Sequence, residues 1–192
     1  MGGGYGKYIT PSNEECKKIK KRFEIEAGPF FAYTGNIEPR KNIVTILKAF
    51  EIACDRLDKT TSLVLAGKLS WRTQPIIGAI EQNKYKDRIH LPGYISEEEK
   101  KYLMHNACAF VFPSNYEGFG IPVVEAMSCG GIVITADNSS LKEVGGKAAF
   151  YVQKTDEVSQ LADRMVQCFN LSEIGRPSCR ERVQMSVRSV YR

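Results

Sequence analysis

From residue 30 onward the chain alternates between short, mostly apolar runs and longer stretches in which apolar residues recur every three or four positions. The short runs are 30–34, 62–67, 88–91, 108–112, 132–135 and 148–152, and each predicts a strand. Most are apolar at every position rather than at every second one, as expected of a sheet covered on both faces. Between them, Ile43, Ile46, Leu47, Phe50 and Cys54 share one helix face, and further helices are predicted over 75–82, 96–106 and 122–128. Val158, Leu161, Ala162, Met165 and Phe169 mark a last helix. Strands separated by helices predict parallel pairing through right-handed crossovers. The predicted fold class is α/β, a Rossmann-like doubly wound parallel sheet of about six strands.

The flanks behave differently. Residues 1–28 read as a glycine-rich linker and a basic N-terminal helix opened by the capping-box spacing of Ser12 and Glu15. The domain proper is expected over 29–172. Past Glu173 the periodicity ends, and 173–192 reads as a disordered or appended tail. Net charge is +5, of which that tail carries +3. The remaining excess is too small for the basic stripe of a nucleic-acid binder, and the run Lys17–Arg22 reads as the solvated face of a helix. No nucleic-acid partner is expected. Six scattered cysteines and two histidines, His90 and His105, form no metal-ligand spacing. A reduced, cytoplasmic protein without structural zinc is expected, with no secretory signal and no run long enough to span a bilayer.

In open α/β sheets ligands gather where strands end and helices begin. After the first strand, Gly35 allows close backbone approach, and Arg40 and Lys41 place two cations at a predicted helix start. The helix dipole disfavours cations there, so they make sense beside a bound anion such as a diphosphate. After the fourth strand, Gly118 and Gly120 free the backbone and Pro122 suits a first helical turn, which together make an anion-binding helix N-terminus. Glu117 precedes this glycine turn and Glu125 follows it. A carboxylate beside phosphate is repelled, so both acids are expected to meet hydroxyls of a ribose or sugar.

These segments carry a family resemblance. Thr34-Gly35 with Pro39-Arg40-Lys41-Asn42, the strand ending at Ala66-Gly67, Pro92-Gly93-Tyr94-Ile95-Ser96, the stretch Phe112 to Met127, and Ser139 to Val144 occur in the order seen in GT-B-fold retaining glycosyltransferases. The chain resembles their C-terminal, donor-binding domain, in particular family 4, also called glycosyl transferases group 1. Glu117 and Glu125 match the family's E-x7-E pair. The resemblance implies one half of a GT-B fold and a hexose moved from a nucleoside diphosphate to an acceptor hydroxyl in polysaccharide synthesis. By it, Arg40 and Lys41 bind the diphosphate, Glu117 approaches the donor sugar, and Glu125 holds the ribose. Gly118, Phe119, Gly120 and Ile121 touch sugar or phosphate, and the backbone of Tyr94 and Ile95 receives the nucleobase. No cofactor is implied beyond the nucleotide-sugar donor, and the absence of a D-x-D pair agrees with metal independence. The implied partner is an N-terminal acceptor domain not found in this chain, without which it is expected to be inactive; peripheral membrane contact of the whole enzyme stays open. The rival readings are an epimerase-like nucleotide-sugar enzyme, a non-catalytic nucleotide or polyphosphate module, and a purely structural α/β domain.

Overall fold

The computed structural model describes residues 11–26, 28–57, 59–153 and 157–173, so the glycine-rich start and the arginine-rich tail after Glu173 lie outside the described residues. Six strands form: β1 (Phe30–Thr34), β2 (Ser62–Ala66), β3 (Ile89–Gly93), β4 (Phe110–Phe112), β5 (Val133–Ala136) and β6 (Phe150–Val152). All neighbours are parallel, in the order β3-β2-β1-β4-β5-β6. The helices are α1 (Asn13–Arg22), α2 (Ile43–Cys54), α3 (Gln74–Glu81), α4 (Glu97–Asn106), α5 (Ile121–Ser128), α6 (Ser139–Gly145) and α7 (Val158–Glu173). From β1 the chain steps outward through β2 to β3, then returns by α4 and sets β4 on the other side of β1. The doubly wound sheet therefore has its switch point between β1 and β4, the place where open α/β sheets form their ligand crevice.

Side-chain alternation explains why the strands are apolar at every position. Phe31 and Tyr33 of β1, with Leu63 and Leu65 of β2, join the cluster that includes Ile46, Leu47 and Phe50 of α2. Phe30 and Ala32, with Val64 and Ala66, face instead Ile19 and Phe23 at α1 and Tyr102 and Leu103 of α4. Both strands are buried along their whole length, so a polar residue on either face would lose its water without gaining a partner. The capping box at Ser12 and Glu15 is formed, and Lys17, Lys18, Lys20 and Lys21 are exposed. Ile19 and Phe23 dock this basic helix on the sheet, so the segment read as a flank packs with the domain.

Several elements differ from the pattern-based expectation. β4 and β6 start two residues later than the apolar runs that announce them, while α7 runs to Glu173, where the periodicity ends. The seven-residue α6 went unread as a helix, because it offers the core a single fully buried side chain, Leu141, and so shows no periodicity. Cys54, Cys108, Cys129 and Cys168 are buried free thiols. Burial pushes the Cys54 thiol up to about 11 and raises that of Cys168 further, which keeps them protonated as small hydrophobes. Among the described residues no helix is long and apolar enough to cross a membrane.

Candidate functional site

The crevice is built on a close meeting of backbones. Gly35 follows β1 and Gly67 follows β2; the Gly35 amide donates to the Ala66 carbonyl at 3.0 Å, and the Gly67 amide to the Gly93 carbonyl at 2.8 Å. Gly67 has φ +146°, and a Cβ there would stand 1.9 Å from the Gly35 oxygen. Only glycine fits. The backbone that comes close to Gly35 here is that of Gly67, which the sequence marks only as a strand end. Beyond the strands the two loops run on together, with Ile37 donating to the Lys68 carbonyl at 2.9 Å and Ser70 to the Ile37 carbonyl at 3.1 Å.

Pro39–Lys41 form a 3-10 turn ahead of α2, which starts only at Ile43 after Asn42 in left-handed conformation. The two cations therefore precede the helix rather than sit in its first turn, and they part company. The Arg40 guanidinium pairs with Glu38, and its side chain is 54% exposed. Lys41 turns inward to pair with Glu117, the two side chains being 9% and 11% exposed. Its ammonium also lies 5.2 Å from the centroid of the Phe112 ring, a cation–π contact on the last residue of β4. Glu117, expected to meet a hydroxyl, is paired with Lys41: the two loops bring both side chains into one poorly hydrated space, where neither charge is favourable alone.

The loop after β4 is pinned from both sides. The Arg40 carbonyl accepts from the Asn115 amide at 3.2 Å, tying it to the 3-10 turn. From the other side, Asn138 Nδ2 donates to the Ser114 carbonyl at 3.0 Å, and Ser140 Oγ to the Glu117 carbonyl at 3.0 Å. Asn138 also caps α6. Gly120, at φ +67°, is the N-cap of α5, where a Cβ would fall 2.8 Å from Leu141 Cδ2. Pro122, the second residue of α5, has no N–H, and Val123 and Val124 donate to the Gly120 carbonyl at 2.9 and 3.3 Å, which leaves Ile121 as the first-turn amide without a helical partner. Tyr116, Phe119 and Ile121 are 75%, 68% and 50% exposed on the rim of this turn.

Glu125 lies one residue beyond the first turn of α5. Its Oε1 accepts from Lys100 Nζ at 2.9 Å, with the lysine and glutamate side chains 19% and 27% exposed. Lys100 belongs to α4 and also meets Glu97 at 3.0 Å. Sequence reading missed it, though a signal exists: position 100 lies three and four residues before the buried Leu103 and Met104, where an apolar residue is expected. Tyr94 is 85% exposed, and its carbonyl accepts from Arg22 Nη2 at 2.9 Å; Ile95 packs beneath it against the α1–α4 cluster. Leu69 and Trp71, after β2, are also exposed and were not singled out in the sequence. The structure thus brings Lys41, Glu117 and the α5 N-terminus together, with Arg40 beside them, and holds Glu125 through α4.

A parallel doubly wound sheet with a glycine-capped helix at its switch point defines a Rossmann-like α/β domain, and the comparisons with known proteins narrow this. Residues 15–182 match the family described as Glycosyl transferases group 1, and the chain belongs to that family. It is 34% identical over 149 residues to O-antigen chain mannosyltransferase B of Escherichia coli, covering 78% of this chain and 39% of that protein. It is 33% identical over 130 residues to GDP-mannose:cellobiosyl-diphosphopolyprenol alpha-mannosyltransferase of Xanthomonas oryzae, covering 67% of this chain and 34% of the relative. Among solved structures, WaaG, a glycosyltransferase involved in lipopolysaccharide biosynthesis, superposes with TM-score 0.75 at 17% identity, over 94% of this chain and 48% of that one. The chain spans well under half the length of these curated relatives, and its fold is the Rossmann-like half of a GT-B architecture.

Proposed function

We propose that this chain is the donor-binding half of a retaining hexosyltransferase that takes mannose from GDP-mannose for polysaccharide synthesis. The sugar and base rest on what the similar mannosyltransferases are named for. The observation that carries the reading is the Lys41–Glu117 pair at the switch point, beside the N-terminus of α5. An arriving diphosphate meets Lys41, the neighbouring Arg40 and the orphan amides around Gly118 to Ile121, a combination suited to two negative groups. Lys41 then exchanges one anion for another, and Glu117 is released toward the hydroxyls of the donor sugar. As the bond to the anomeric carbon breaks, charge grows on the leaving diphosphate, and the fixed cations and amides stabilise it without rearrangement. In this reading they do the work that a divalent metal does elsewhere. Glu125 accepts from the ribose hydroxyls, and the backbone at Tyr94 and Ile95, beside Gly35 and Gly67, receives the base side of the nucleotide.

The exposed Tyr116, Phe119 and Ile121 form the rim that the acceptor-binding domain of the whole enzyme covers. Without that domain the chain binds donor and transfers nothing. Calorimetric titration with GDP, UDP and ADP tests the reading. GDP is expected to bind best, and Lys41→Ala to weaken it about tenfold or more, the loss of one charge-assisted contact. Silence of the folded wild-type chain against all three nucleotides would overturn the reading, and glycoside product formed by the chain by itself would overturn the two-domain part of it.

A further inference from the structure

Lys100 stands out because a hydrophobic residue would serve the packing of α4 on α5 better. Its side chain is only 19% exposed, and it spends its charge on Glu125 at 2.9 Å and Glu97 at 3.0 Å. Glu97 is 70% exposed, so water solvates it adequately without a lysine. The Glu125 side chain is only 27% exposed, and among the described residues Lys100 is the one cation paired with it. Burial works against the Lys100 ammonium, but the hydrogen bonds it donates to Glu125 and Glu97 outweigh it, so its pKa is raised. A pair of this exposure adds little stability, and aliphatic replacements of such pairs are commonly neutral. The lysine therefore has a use other than holding the fold together.

We infer that Lys100 is a positioning residue that fixes the carboxylate of Glu125 for recognition of a vicinal diol. This rests on the donor-binding reading, in which Glu125 meets the ribose. The contact at Oε1 removes the rotation of the carboxyl group about its terminal torsion, which is otherwise broad. With Oε1 held by an ammonium from α4, Oε2 keeps a set direction as an acceptor. A preorganised acceptor gains more from a donor than one that must be ordered on binding. Lys100 itself touches no nucleotide atom in this scheme, and it acts through Glu125.

The test is a set of calorimetric titrations of the 192-residue chain with GDP and with 2′,3′-dideoxy-GDP. The wild-type chain is expected to prefer GDP by about tenfold or more, since each charge-assisted hydrogen bond is worth about that factor. Lys100→Leu is expected to keep the fold and the affinity for the dideoxy nucleotide, while the preference falls to about threefold or less. Lys100→Arg is expected to restore it, and Lys100→Gln stands in should the leucine variant not fold. A merely structural lysine would lower both affinities together and leave their ratio unchanged. If Glu125→Gln loses the preference while Lys100→Leu and Lys100→Gln retain it, the inference is wrong and the donor reading stands. If the wild-type chain binds GDP without any preference, the role of Glu125 and that of Lys100 both fall, but donor binding remains. If it binds no nucleotide, the donor reading itself has failed.

Discussion

Glu117 and Glu125 lie eight residues apart around one glycine turn, and each is met by a lysine, yet the two pairs are different objects. Lys41–Glu117 is closed from water on almost every side and rests on the Phe112 ring. Lys100–Glu125 is shared with a third, exposed carboxylate and keeps part of both side chains in solvent. In the first, each charge depends on the other, because removing either leaves an ion in a poorly hydrated space. In the second, water can replace a lost partner at little cost. Two ion pairs at one site can thus differ in kind: the sealed pair holds two loops in register, while the open pair, on the proposed donor-binding reading, aims one carboxylate.

The sharpest way to break this comparison is to remove one member of the sealed pair. Lys41→Met is expected to cost about 3 kcal/mol in urea unfolding, because Glu117 is left charged and nearly buried. Adding Glu117→Leu should recover most of that loss, since two apolar side chains fill the same space without an uncompensated charge. If the two single losses simply add in the double variant, the pair is not coupled and the description of it as sealed fails. A smaller effect is expected one bond away. Ser140→Ala removes the hydroxyl that donates to the Glu117 carbonyl at 3.0 Å, which should cost about 1 kcal/mol. On a chain of this size that lowers Tm by roughly 2–4 °C, readable by calorimetry.

How much of this was legible beforehand follows from the range of each interaction. The six strands and most of their covering helices could be read because both periodicities are local. α6 could not, since one buried leucine on seven residues leaves no pattern. At the site, Lys41, Glu117, Glu125 and the glycine turn stood out by residue type and spacing. Their pairings did not. Lys41 and Glu117 are 76 positions apart, and their meeting depends on β1 and β4 being neighbours, which is a matter of strand order and not of local sequence. Arg40 and Lys41 read as equivalent cations, yet the 3-10 turn sends one to solvent and the other into the crevice. Gly67 shows the same limit: its need for a missing Cβ comes from Gly35 on another strand. Lys100 is the instructive miss, a charge on a buried stripe whose reason appears only when α4 is laid beside α5.

The open pair yields the smallest expected effect and the finest test. Lys100→Leu should change unfolding free energy by no more than about 0.5 kcal/mol, the loss of a partly solvated ion pair being offset by a better apolar contact with its neighbours. Raising salt from low to molar ionic strength should shrink even that difference, because solvent-facing charges are screened within about 3 Å at 1 M. The Lys41→Met loss should persist under the same conditions, since salt does not enter a closed space. The two variants, unfolded side by side at both salt concentrations, therefore place the pairs on a common scale. A salt-resistant loss at Lys100 as large as that at Lys41 would mean that α4 and α5 seal their pair as tightly as β1 and β4 do, and that Glu125 is held for the fold rather than aimed at a ligand.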